Sequence, residues 1–254
     1  MDEHALLDLL IQASRLLLSC GGETSRVEKM IDHLARGAGL SDDQVQSFVT
    51  PTGIFISVTT ENGTTTRLCR MREPGQMDLG RVTAINDLSR RFASGSCTLD
   101  DAIGALKRIE AAPARYSRGM QLLAAMISSG SFAVVLGGTL IDFVVAAVAG
   151  LTAQSTVSWL NRFVPRFFGV LLAALIASLL AEGFGVLVHS TSQGAITIGA
   201  ILPLLPGLAI TNAIRDLLAG DLLAGVARGA EGLFTAVALA VAVTLSIGVF
   251  AHFL

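Results

Sequence analysis

Residues 197–221 read TIGAILPLLPGLAITNAIRDLLAGD. The run is apolar and of membrane-spanning length, yet it holds Pro203 and Pro206, with Gly207 directly after. Proline removes a backbone donor and clashes with the preceding turn, so the helix is expected to break near its middle. In a bilayer the freed carbonyls need partners, and a broken helix is tolerated only against protein or a wet cavity. Asn212 and Asp216 follow the break four residues apart, on one helical face. Pro203, Pro206, Gly207, Asn212 and Asp216 therefore form a candidate solute pathway, because broken spans with polar neighbours mark transporter binding sites. A kinked packing helix with a cytoplasmic cap is the structural alternative.

Composition agrees with a membrane setting. The 254 residues are 52% hydrophobic and 15% charged, more apolar than an ordinary soluble domain. A net charge of −2 gives no electrostatic footprint for nucleic acid. Charge is unevenly placed. Beyond residue 115 the basic residues are Arg118, Arg162, Arg166, Arg215 and Arg228, and the acids are Asp142, Glu182, Asp216, Asp221 and Glu231. Cys20, Cys69 and Cys97 show no CxxC spacing, so neither a disulfide framework nor a metal site is expected, and a reduced compartment fits. Met1–His4 carries two acids and no basic n-region, so no cleavable signal is expected there.

Residues 1–115 alternate local signals. Leu6, Leu9, Leu10, Ala13, Leu16 and Leu17 predict an amphipathic helix over 3–20, stopped by Gly21-Gly22. Ser25-Arg26-Val27-Glu28 has capping-box form and predicts a helix to about 37. Segments 44–50, 54–60 and 64–71 have strand composition, with Asn62-Gly63 as a hairpin turn. Helices follow over 78–94 and 99–111, the latter capped by Thr98. The sequence holds no P-loop, GxGxxG, HExxH or GxSxG pattern. Cys20, Ser25 and His33 do not assemble into a nucleophile with a placed base, so no enzyme activity and no cofactor are expected.

Residues 116–254 predict five spans, about 118–136, 140–160, 167–188, 194–218 and 232–254, each near the ~20 residues a helix needs to cross the hydrocarbon. The expected fold is an α+β cytosolic domain (1–115) followed by an all-α five-span transmembrane domain (116–254). Arginine and lysine flank alternate loops, which puts the N-terminus in the cytoplasm and the C-terminus outside. Asp142 and Glu182 interrupt apolar runs; intramembrane acids often carry protons, and both are proton-coupling candidates. A helix cap is the competing role for Asp142.

The chain resembles the threonine/serine exporter family, specifically its N-terminal half. The resemblance rests on Gly22-Glu23-Thr24 leading into Arg26-Val27-Glu28, and on Pro206-Gly207 followed by Asn212-Ala213, Asp216 and Gly220. It implies a subunit of a secondary exporter of threonine and serine or of small dicarboxylates such as succinate, coupled to the proton gradient, in a bacterial inner membrane. It also implies a second, smaller membrane subunit; homo-oligomerisation stays open. Glu23, Arg26 and Glu28 belong to the soluble motif, whose role the resemblance does not supply. Against this stands a membrane-anchored enzyme, regulator or scaffold acting through residues 1–115.

Overall fold

A computed structural model of the chain describes residues 3–61, 63–71, 77–113, 115–189 and 192–253. The expected turn at Asn62 lies outside the described residues. The chain divides into two compact units, neither a contiguous stretch: Met1–Arg115 with Thr211–Gly229, and Tyr116–Ile210 with Ala230–Leu254.

The first unit starts with α1 (Glu3–Ser19) and α2 (Thr24–Gly37). Three strands follow, β1 (Val45–Thr50), β2 (Gly53–Thr60) and β3 (Gly63–Arg70), paired antiparallel in the order β1-β2-β3. Then come α3 (Leu79–Ala93) and α4 (Leu99–Ala111). Alternation along β2 sends Ile54, Ile56 and Val58 inward to meet Leu6, Leu10 and Leu17 of α1 and Val27, Ile31 and Leu34 of α2 in one core. Helix α4 carries the expected Thr98 cap, closed into a capping box by Asp101. Helix α2 departs from expectation. It begins at Thr24 with Glu23 in the capping position, so Ser25 is not its cap, and Glu28 instead accepts the Val49 N–H at 3.3 Å.

The second unit holds α5 (Arg118–Val135), α6 (Leu140–Leu160), α7 (Arg166–Leu187), α8 (Gln193–Ile201) and a 3-10 turn (Leu202–Leu204). Helices α9 (Gly207–Ala219) and α10 (Leu222–Phe253) each contribute residues to both units. The core here is built from small side chains, among them Ala133, Ala146, Ala149, Ala173, Ala177 and Ala200. Large apolar groups such as Leu123, Ile127, Val144, Ile176 and Leu245 point outward. That inversion suits lipid, where small residues let helices approach closely and no water drives large groups inside. The approach is tight: a Cβ on Gly199 would lie 2.7 Å from the Ser129 carbonyl oxygen, and one on Gly130 would lie 2.8 Å from that of Phe143.

The expected α+β domain followed by a five-span domain is not what the chain forms. Among the described residues, three helices are long and apolar enough to cross a membrane: Leu140–Leu160, Arg166–Leu187 and Leu222–His252. A fourth span exists only if Gln193–Leu204 and Gly207–Ala219 count as one, and those pieces are bent by 61°. The expected first span, α5, falls short because Arg118, Gln121 and three serines dilute its apolar run. The expected fourth run is shared out, its distal half belonging to the unit built by the N-terminal residues. Helix dominates throughout, with one small sheet among the described residues.

Candidate functional site

The expected break falls at the prolines. The Leu202 N–H bonds back to the Gly199 carbonyl, tightening the last turn of α8 into the 3-10 segment that contains Pro203. Leu205 then leaves the helical region, with φ −63° and ψ 134°. A residue before proline is pushed to extended backbone, and Leu205 precedes Pro206. Gly207 opens α9, whose ladder starts with the Ile210 N–H on the Pro206 carbonyl at 3.0 Å.

Helix α9 is inside out. Ala213 and Asp216 are buried, while Leu208, Ile210, Ile214, Leu217 and Leu218 are exposed. The buried polar side belongs to a network in the first unit. Its foundation is the end of α1, where Gly21 adopts φ +87°. The Gly21 N–H bonds to the Leu18 carbonyl and the Gly22 N–H to that of Leu17, the pairing of a Schellman motif, which needs a residue free to turn left-handed. The exposed carbonyls of that turn are then taken up by side chains. Asn212 Nδ2 donates to the Gly21 carbonyl at 3.3 Å, and Arg228 Nη2 to the Gly22 carbonyl at 2.8 Å.

Asp216, fully buried, ties the network to α2. Its Oδ1 accepts the Thr24 N–H at 3.2 Å, and its Oδ2 accepts the Thr24 hydroxyl at 3.3 Å. Thr24 is the first residue of α2, so a carboxylate distant in sequence occupies an orphan donor at the positive end of that helix. Arg228 Nη1 lies 3.3 Å from Asp216 Oδ2, completing an ion pair whose side chains are 11% and 0% exposed. Glu23 receives Arg215 Nη1 and, at 3.4 Å, Arg26 Nη2, both on Oε1. Burial, followed by the charge of Asp221, pushes the Glu28 carboxyl above its ordinary range.

In the second unit Glu182 is buried on α7 and accepts the Thr197 hydroxyl of α8 at 2.9 Å. One turn before it, the Ser178 hydroxyl is buried with no hydrogen-bond partner among the described residues. Asp142 forms a capping box with Thr139 at the start of α6, accepting its N–H at 2.7 Å and its hydroxyl at 2.9 Å. Among the described residues no group of His, Cys, Asp and Glu side chains is arranged to hold a metal.

Apart from Asp142 in its capping box, the candidate residues thus fall into three places. Asn212 and Asp216 join Glu23 and Arg26 in one network of the first unit, and Glu28, on the same helix as Arg26, accepts the Val49 N–H. Pro203, Pro206 and Gly207 form the break in the second unit, and Glu182 pairs within that same unit. Sequence reading did not single out Thr24, Arg228 or Thr197 as site residues. Arg228 was legible only as a charge flanking a span, and the two threonines carry no spacing signal.

The long apolar helices mark the chain as a membrane protein. A family model described as "Putative threonine/serine exporter" matches residues 8–250, and the chain belongs to that family. It is 28% identical over 248 residues to a Mycobacterium tuberculosis protein named "Probable threonine/serine exporter", covering 97% of this chain and 46% of that one. It is 24% identical over 236 residues to the "Threonine/serine exporter" of Corynebacterium glutamicum, covering 90% of this chain and 48% of the relative. The chain therefore spans about half the length of these two relatives. It is 24% identical over 249 residues to the Escherichia coli K12 protein named "Probable succinate transporter subunit YjjP", covering 97% of this chain and 95% of that protein. No solved structure matches the chain.

Proposed function

We propose that this chain is one subunit of a secondary exporter for small polar metabolites, of the threonine/serine type or of small dicarboxylates. Family membership over residues 8–250 carries the reading. The helix broken at Pro203–Gly207 inside a unit of lipid-suited packing supports it, because such breaks serve solute sites near the bilayer midplane. The printed names of the relatives supply the substrate classes. The E. coli relative is named a subunit and matches at nearly full length, so a second membrane subunit is proposed as partner.

In this reading Pro203, Pro206 and Gly207 line the solute path within the second unit, and Asn212 and Asp216 are pathway residues of the first unit. Glu182 carries protons, and Asp142, tied into its capping box, is the weaker candidate. The same reading takes residues 1–115 as cytoplasmic in a bacterial cell and the C-terminus as outside the inner membrane, on the inside-positive tendency of flanking arginines. No catalytic role is assigned to any side chain.

The test is efflux of labelled threonine and succinate from loaded cells expressing this chain with its partner subunit. Efflux above that of empty cells supports the reading; equal efflux for both substrates rejects it. In the same assay Glu182→Gln is expected to abolish the dependence of efflux on external pH. Unchanged pH-dependent efflux removes Glu182 from the mechanism.

A further inference from the structure

We propose that Arg26 and Arg215 form the element that binds the carboxylate group of the substrate, and that Glu23 is an internal carboxylate the substrate displaces. This inference rests on the exporter reading and names the chemistry of its binding site.

The network of the first unit holds three guanidinium groups and treats them differently. Arg228 is fixed: its side chain is 11% exposed, paired with a fully buried Asp216, and hydrogen-bonded to the Gly22 carbonyl. Asp216 is fixed in turn by two bonds from Thr24. Arg26 and Arg215 are not held in this way. Their side chains are 44% and 54% exposed, and both reach one oxygen of Glu23. Each pair sets a half-exposed guanidinium against a Glu23 side chain that is 11% exposed, so water competes at the arginine end, where an incoming anion would enter.

Two guanidinium groups converging on one carboxylate oxygen outline the place where a second carboxylate fits. Each carries five N–H donors in a planar fork matched to a carboxylate, and one contact to Glu23 engages only part of that capacity. An incoming carboxylate exchanges one charge-assisted pair for another and adds the bidentate geometry that a shared oxygen does not provide. Arg215 lies on α9 between Asn212 and Asp216, and Arg26 lies in the first turn of α2. Asp216 and Thr24 of the framework lie on these same two helices, while Arg228 reaches in from α10. A carboxylate is also the group that threonine, serine and succinate have in common, so one such element serves both substrate classes named for the relatives.

The experiment uses the full-length chain in lipid nanodiscs and measures equilibrium binding of labelled succinate and threonine. Arg26→Gln and Arg215→Gln are each expected to weaken both ligands about ten-fold, the size expected for loss of a charge-assisted bond. Arg215→Lys should fall in between, because it keeps the charge and loses the fork. Glu23→Gln should tighten binding several-fold by removing the internal competitor, which a purely structural Glu23 would not do. Threoninamide, which lacks the carboxylate, should not compete. The proposal is overturned if the arginine variants bind like the wild type, if Glu23→Gln weakens binding, if phosphate competes as well as succinate, or if the wild type binds neither ligand. Efflux from loaded cells separates the two levels. Wild-type efflux that the arginine variants leave intact rejects this site alone, whereas absence of wild-type efflux rejects the exporter reading. Equal unfolding midpoints for variants and wild type establish that the variants are folded.

Discussion

The carboxylate of Asp216 accepts the backbone N–H of Thr24, a residue 192 positions earlier in the chain, at 3.2 Å. This bond and its companion from the Thr24 hydroxyl join α9 to the start of α2. Asp216 is fully buried, and its partner charge is the Arg228 guanidinium, 3.3 Å away.

Removing one member strands the other. Asp216→Leu leaves a buried guanidinium without its counter-charge and should cost about 3–5 kcal/mol of stability. Arg228→Met should cost a similar amount. The double variant should lose less than the sum of the two, because no lone charge is left behind. Thermal unfolding of the three variants in detergent measures this; strictly additive losses would show that the pair is not coupled.

Close helix approach in the second unit predicts a different sensitivity. Gly199→Ala would place a methyl group 2.7 Å from the Ser129 carbonyl oxygen, and backbone cannot move aside as a flexible side chain can. A loss of about 1–3 kcal/mol is expected. Gly248→Ala, with nothing within 4 Å of the added carbon, should be neutral or slightly stabilising. Unfolding midpoints of the two variants, compared side by side, check this.

Local order was legible in the sequence wherever its cause is local. The spacing of Leu6, Leu9, Leu10, Leu16 and Leu17 predicts the first helix to within a residue of Glu3–Ser19, and Thr98 caps α4 as its side chain predicts. The prolines predict where the α8 helix gives way. What failed has non-local causes. Ser25 looked like the cap of α2, but the donor at the start of that helix is taken by Asp216, which no window of sequence around Ser25 contains. The fourth apolar run looked like one membrane element, yet its distal half belongs with the N-terminal residues because Asn212, Arg215 and Asp216 find their partners at Gly21–Thr24. Residues 119–135 of α5 carry no charge, but Gln121 and the serines lower the affinity of that helix for lipid.

Protonation of Glu28 gives a pH signature. Its carboxyl is held above the ordinary glutamate range by burial and then by Asp221. A raised carboxyl favours the protonated form in the folded state. Its contribution to stability is therefore complete below the unfolded value and is lost as pH rises through the folded one. Glu28→Gln keeps an acceptor for the Val49 N–H and removes the titration. The variant should match the wild type at about pH 4 and exceed it in unfolding midpoint at about pH 8. A midpoint difference that does not change with pH would contradict the assignment.

A buried hydrogen bond from Thr197 to Glu182 joins α8 to α7. Thr197→Val keeps the shape of the side chain and removes the donor to Glu182. Leaving a buried carboxylate short of a partner should cost about 1–3 kcal/mol. Thr197→Ser, which restores the hydroxyl, should recover most of that loss. Unfolding midpoints in detergent decide it.

The account depends above all on the break at Pro203–Gly207 facing a solute. Its most direct test is the labelling rate of a cysteine placed at Ala209, just beyond the break, in a chain otherwise free of cysteine. The measurement is made in vesicles carrying both subunits, with and without substrate. The account predicts labelling by a membrane-impermeant thiol reagent that slows when threonine or succinate is added. Labelling that neither substrate changes, or no labelling at all, would contradict it.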